Sequence, residues 1–267
     1  MSINSVARRL LPLIFAAFCA SPAIAAEEVV TLMNSGANVS DQASLQRGAQ
    51  LYFNYCAGCH SIKYMRYSRI AEDLGLSEDE VAKYLNFTGG AFGDTIVHAM
   101  PPGVGDKIVG SEDWFGVAPP DLSLSARVRS SDWIYSYLLS FYPDPSRPSG
   151  WNNTVFPNAS MPNVFWERQG IQQLRATAHA TEGQEAAVPE EESGGHGHGP
   201  VFDVVTAGTR TPEQFKQDSR DVTAFLEYVG EPAALQRERY GIWVILFLLL
   251  FTGVAYLLKA EYWKDVH

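Results

Sequence analysis

Hydrophobic positions along the chain fall into four amphipathic stretches set between two uninterrupted apolar runs. From Asp41 to Tyr55, Leu45, Gly48, Ala49, Tyr52 and Tyr55 recur at helical spacing on one face, and Ser40 or Asp41 is placed to cap the start. Ser77 to Leu85 predicts a second helix, because Ser77 and Glu80 stand in capping-box spacing. Ser130 to Phe141 predicts a third, with Trp133, Ile134, Tyr137, Leu138 and Phe141 as its apolar stripe. Thr211 to Tyr228 predicts a fourth, with Pro212 in the first turn, where its missing N–H costs nothing, and with Phe225, Leu226 and Val229 apolar. The stretches 89–116 and 143–162 are rich in Gly and Pro and read as long ordered loops. No strand-rich region and no internal repeat stands out. Few helices joined by long loops predict a mostly α chain wrapped around something, since loops alone make a poor core.

The two apolar runs set the boundaries. Leu10 to Ala20 is too short to cross about 30 Å of hydrocarbon. It follows the basic pair Arg8 and Arg9 and precedes Ala23-Ile24-Ala25, a small-x-small cleavage signature. Residues 1–25 therefore read as a cleaved export signal, and Phe18 ahead of Cys19 argues against a lipoprotein signal. Gly241 to Leu258 carries no charge and spans about 27 Å as a helix. Tyr240, Trp243, Tyr256, Tyr262 and Trp263 lie near its ends, where interfacial aromatics belong. Residues 240–258 thus predict one C-terminal transmembrane helix. Arg237 and Arg239 on one side balance Lys259 and Lys264 on the other, so the export signal sets the orientation. Residues 26–239 lie outside and 259–267 form a cytoplasmic tail. The expected location is a bacterial inner (cytoplasmic) membrane, single-pass, with the large domain periplasmic.

Charge narrows the partners. Lys and Arg number 20 against 30 Asp and Glu, a net −10, and loss of Arg8 and Arg9 makes this 18 − 30 = −12. Such a chain is unsuited to phosphate backbones, so no nucleic-acid partner is expected. A basic protein partner would be drawn to it at low salt. Five of the negative charges, Glu182, Glu185, Glu190, Glu191 and Glu192, sit in 176–199, a segment without Lys or Arg that reads as a flexible acidic Gly/His insertion. His196 and His198 lie within it, and two histidines do not fill a metal shell.

The chemistry concentrates in Cys56-Ala57-Gly58-Cys59-His60, a C-x-x-C-H motif. Two thiols one turn apart can add to the two vinyl groups of one porphyrin, and the next residue is then placed to ligate the iron. One covalently attached haem c is the expected cofactor, with Cys56 and Cys59 as attachment points and His60 as proximal ligand. A zinc site would want a second pair of ligands, and no other cysteine survives removal of Cys19. A thioredoxin-like dithiol would want a preceding strand. For the sixth position the residues leave Met33, Met65, Met100, Met161 and His98 open, and a thioether there would favour ferrous iron. An open sixth position would instead suggest a haem peroxidase or reductase.

Four segments carry a family resemblance. RGAQLYFNYCAGCHSIKYMRY at 47–67, APPDLS at 118–123 followed by Arg127 and Arg129, PNASMP at 157–162, and DVTAFLEYVGEP at 221–232 ahead of a single C-terminal span resemble the cytochrome c1 family, the haem subunits of cytochrome bc1 complexes. The 176–199 insertion departs from that pattern. The resemblance implies a class I cytochrome c-like haem domain, mostly α with long loops, in which the first and last helices cross at Gly48 with Tyr228 or Phe225 at the contact. It implies Met161 as sixth ligand, Arg129 beside a haem propionate, and Pro120 in the haem environment, with a carbonyl of Pro119 or Pro120 taking the His60 ring N–H. It also implies the partners: cytochrome b, a Rieske iron–sulfur protein as electron donor and a soluble or anchored cytochrome c as acceptor, in a dimeric complex. Electron transfer is then the role, without a catalytic acid, base or nucleophile in this chain. A free-standing anchored cytochrome c is the rival reading.

Overall fold

The computed structural model describes residues 31–97, 100, 114–175 and 201–264. The expected signal peptide, His98 and the acidic insertion with His196 and His198 lie outside the described residues.

Helix α1 (Gln42–Tyr55) starts where expected, with the Asp41 carboxylate accepting from Ser44 N–H at 3.0 Å. Strand β1 (Ile62–Arg66), α2 (Tyr67–Leu74), α3 (Glu78–Tyr84) and β2 (Thr95–Ile96) follow. Ser77 and Glu80 close the capping box of α3. After 114 come α4 (Ser125–Arg129), α5 (Ser131–Leu139), β3 (Phe141–Pro143), β4 (Trp151–Asn153), α6 (Trp166–Gln169), β5 (Gly170–Leu174), β6 (Phe202–Ala207), α7 (Pro212–Gly230) and α8 (Ala234–Tyr262). Thr211 and Gln214 form a second capping box, with Pro212 in the first turn of α7.

The core is the crossing of α1 and α7. A Cβ at Gly48 would lie 2.0 Å from the Asp221 carbonyl oxygen and 2.8 Å from the Phe225 Cβ, so only glycine lets the two backbones approach this closely. Tyr52, Phe225 and Tyr228 are fully buried around the contact. Tyr52 and Phe225 have ring centroids 5.5 Å apart. The Asp221 carboxylate, also buried, accepts from Ser44 Oγ at 2.6 Å, Arg47 Nε at 2.6 Å and Gln217 Nε2 at 2.8 Å. A buried carboxylate satisfied this fully ties α1 to α7 instead of weakening the core. Further along, Tyr228 O–H donates to Asp73 Oδ2 at 2.8 Å, and Arg69 donates to the same oxygen at 2.6 Å.

Three antiparallel pairs, β1–β2, β3–β4 and β5–β6, appear where loops alone were expected. The helix predicted to reach Phe141 stops at Leu139, and Phe141 opens β3. Pro143, two residues on, disfavours helical continuation, and Phe141 instead pairs with Asn153. The 143–162 stretch is ordered by its asparagines. Asn153 Oδ1 accepts from the N–H groups of Val155 and Phe156, while Asn152 Oδ1 accepts from those of Asn153 and Asn158.

The apolar part of α8 runs from Tyr240 to Tyr262, 23 residues or about 34 Å, enough to cross a bilayer. Its helix continues four residues past the expected end at Leu258. Leu246 to Phe251 are all more than half exposed, as suits a lipid-facing surface.

Candidate functional site

Helix α1 delivers the cysteine motif. Cys56 N–H and Ala57 N–H both donate to Tyr52 O, and Cys59 N–H and His60 N–H both donate to Cys56 O. The motif therefore continues as tight turns from the end of the helix. Tyr52 O–H donates to the His60 carbonyl at 2.6 Å and pins the motif's far end to the core. Both thiols are free; Cys56 is buried and Cys59 partly exposed. Burial, reinforced by Cys59, pushes the Cys56 thiol up to about 12, and burial also raises Cys59. A redox-active dithiol works through a depressed thiol pKa, so this setting opposes the thioredoxin-like alternative.

The histidine is oriented from the opposite side. His60 Nδ1 lies 2.7 Å from the Pro120 carbonyl oxygen. A carbonyl only accepts, so Nδ1 carries the proton; in the neutral ring the lone pair is then on Nε2, the tautomer a metal-ligating imidazole needs. The segment that presents Pro120 is stitched to the motif's exit. Leu122 N–H donates to Ser61 O at 2.8 Å, Lys63 N–H to Asp121 Oδ2 at 3.1 Å, and Tyr64 N–H to Ser123 Oγ at 3.2 Å. Partial burial acts to raise the Asp121 pKa, but the hydrogen bonds from Ser123 and the Lys63 N–H outweigh it and leave the carboxyl below its usual value.

The methionines separate by environment. Met65 sits on β1 in the hydrophobic core, 2% exposed. Met33 is exposed, and its N–H donates to Ser136 Oγ. Met100 and Met161 are both half-buried in irregular backbone. The chain leaving Met161 is fixed two residues later, where Asn163 accepts from Phe165 N–H at 3.0 Å and donates to Gln169 at 2.6 Å.

Arg129 ends α4. Its guanidinium lies 5.0 Å from the Trp133 ring centroid and 5.6 Å from that of Phe156. Among the described residues no carboxylate lies within ion-pairing distance of it, whereas Arg127 pairs with Glu231 at 2.6 Å. Ser130, between Arg129 and Trp133, is held at φ 84°, ψ 157°, a region nearly reserved for glycine, while its Oγ caps α5 at Trp133 N–H. Trp133 and Phe156 as the seat of Arg129 are a feature of the folded chain that its residue pattern does not spell out. The four-residue spacing from Arg129 to Trp133 was the available signal. Tyr52 as a brace on His60 carried no signal in the sequence.

Two thiols closing a helix, a histidine whose tautomer is set by a carbonyl, and a long apolar helix near the C-terminus have the features of a membrane-anchored c-type haem protein. The donor set fits the group: two free thiols and one imidazole nitrogen with its lone pair. The chain belongs to the cytochrome C1 family, whose model matches residues 34–266. Cytochrome c1 of Allochromatium vinosum is 45% identical over 236 residues, 88% of this chain and 90% of that protein. The ammonia monooxygenase gamma subunit of Nitrosomonas europaea is 37% identical over 261 residues, 97% of this chain and 100% of that protein. Cytochrome b/c1 of Bradyrhizobium diazoefficiens is 27% identical over 265 residues, 85% of this chain and 34% of that protein. The resemblance read from the four segments and the mostly helical fold with one C-terminal apolar helix are thereby established.

Proposed function

We propose that the chain is the haem-c subunit of a quinol–cytochrome c oxidoreductase, taking one electron at a time from a Rieske iron–sulfur protein and passing it to a soluble or anchored cytochrome c. Cys56 and Cys59 would hold the porphyrin through thioethers, and His60 Nε2 and Met161 would be the two iron ligands the protein supplies. Bound there, the haem supplies the one-electron ferric/ferrous couple. The protein's part is orientation and electrostatics. The Pro120 carbonyl holds the proton on Nδ1, which fixes the ring and makes Nε2 a better donor. Tyr52 braces the His60 backbone. Arg129, seated against two aromatic faces and with no carboxylate among the described residues in ion-pairing distance, keeps its charge available for a propionate. A positive charge there would disfavour the ferric state and raise the potential.

The single observation that carries this reading is the 2.7 Å contact between His60 Nδ1 and Pro120 O, beside the two free thiols. Export and cleavage of residues 1–25, and anchoring by α8, would place the haem domain in the periplasm of a bacterial inner membrane. The name of the Bradyrhizobium relative, cytochrome b/c1, supports cytochrome b as the membrane partner; a dimeric complex is part of the proposal. The Nitrosomonas relative favours a second reading, a subunit accompanying an ammonia-oxidising monooxygenase. Gentle detergent solubilisation and affinity purification separate the two. Recovery of a b-type cytochrome and a Rieske centre with quinol–cytochrome c reductase activity is expected. Recovery of a monooxygenase without cytochrome b would overturn the first reading.

A further inference from the structure

A cleft of about 550 Å³ lies beside α1 and is lined by Arg47, Asn54, Tyr55, Arg168, Arg210 and Asp218 among others. Three guanidiniums meet there with the Asp218 carboxylate, and Arg47 also pairs with the buried Asp221 carboxylate, a local +3 − 2 = +1 in a chain of net −10. Arg168 donates to Asp218 Oδ2 from Nε at 2.9 Å and Nη2 at 2.7 Å. The Arg168 guanidinium also lies 5.7 Å from the Tyr55 ring centroid. Arg210 Nε is 3.3 Å from the same Asp218 oxygen. Arg47 directs Nε and Nη2 to Asp221. The Arg47 and Arg210 side chains remain 49% and 40% exposed while their carboxylate partners are 2% and 13% exposed, so the surplus positive charge faces solvent.

Position gives the cleft meaning. Tyr55 is the last residue of α1 and is bonded directly to Cys56, so one wall of the cleft ends at the cysteine motif. Arg is among the residue types that most often carry binding energy at protein interfaces. Net charge favours a basic partner, but an encounter complex is steered by the field at the docking site.

We propose that this cleft docks an acidic electron acceptor, a c-type cytochrome whose haem edge is rimmed with carboxylates, one of which enters between Arg47 and Arg210. The proposal rests on the electron-carrier reading above.

The test uses the whole detergent-solubilised complex and two soluble cytochromes c of similar potential, one acidic and one basic. Their second-order reduction rates are measured across ionic strength in the wild type and in Arg210→Gln. Arg210 is the side chain to change because Asp218 keeps Arg168 as its partner. The acidic cytochrome should react faster, and its rate should fall as salt rises. In Arg210→Gln the acidic-to-basic rate ratio should fall about fivefold, the worth of one unit-charge contact at about 4 Å in water. An unchanged ratio would overturn the proposal. So would inorganic phosphate that binds the wild type but not Arg210→Gln, at constant ionic strength, without slowing the acidic cytochrome, because the cleft would then be a small-anion site. Failure of the underlying reading looks different: quinol would leave the chain's own haem oxidised in every variant.

Discussion

Gly48→Ala is the sharpest probe of the helix crossing. A new Cβ would stand 2.0 Å from the Asp221 carbonyl oxygen, 2.7 Å from its carbon and 2.8 Å from the Phe225 Cβ. Ordinary contact begins near 3.4 Å, so α1 and α7 must part by about 1.4 Å at that point. Neither obstacle is the end of a flexible side chain. One is helical backbone, and the other is the root of a ring that is fully buried. Overpacking of this kind costs about 3 kcal/mol, the upper end of its usual range. Alanine recovers about 1 kcal/mol of helix propensity. A net loss of about 2 kcal/mol lowers the melting temperature by roughly 4–8 °C in a domain of this size. Thermal unfolding of the solubilised protein, followed by circular dichroism, reads this directly. Gly93→Ala is the control, since nothing beyond its chain neighbours lies within 4 Å of its added Cβ; it should stay within about 0.5 kcal/mol of the wild type. A Gly48→Ala protein that melts at or above the wild-type temperature would show that propensity outweighs the clash and that the crossing does not need glycine.

Cys56→Ser or Cys59→Ser should weaken covalent haem retention and the double change abolish it; haem-stained denaturing gels report this, and covalent haem in the double variant would refute the attachment. Ending the chain near Ala234 removes the 23-residue apolar stretch and should release a soluble haem protein; persistence in membranes after a high-salt wash would require a second anchor. Met161→Leu should lower the midpoint potential by more than about 59 mV, a tenfold change in a one-electron equilibrium. Met100→Leu should leave the near-infrared methionine–iron band intact, and the reverse pattern in the two variants would reassign the ligand.

Helix-scale structure was legible because its signals are local. The capping box at Ser77, Pro212 in the first turn of α7 and the apolar face of α1 are written within a few residues of where they act, and Gly48 stands on that face, its part in the crossing implied by the family resemblance. The paired strands were not legible. β1–β2 and β3–β4 are two or three residues deep, too short for alternation to register, and what orders the second pair is the asparagine network of 152–158, whose partners are backbone groups that no pattern of residue types reveals. The site divides along the same line. C-x-x-C-H is a spacing rule and stands in the sequence, but the proton on His60 Nδ1 depends on a carbonyl sixty residues away. The setting of Arg129 shows the limit most clearly. A serine follows it where the backbone, at φ 84°, asks for glycine, so residue preference at Ser130 points away from the observed turn. That turn starts α5 so that Trp133 lies against the Arg129 guanidinium, with Phe156 on the loop after β4 as a second face. Strain at one residue is thus offset by contacts made by two others, and a balance of that kind becomes visible only once the three are placed in space.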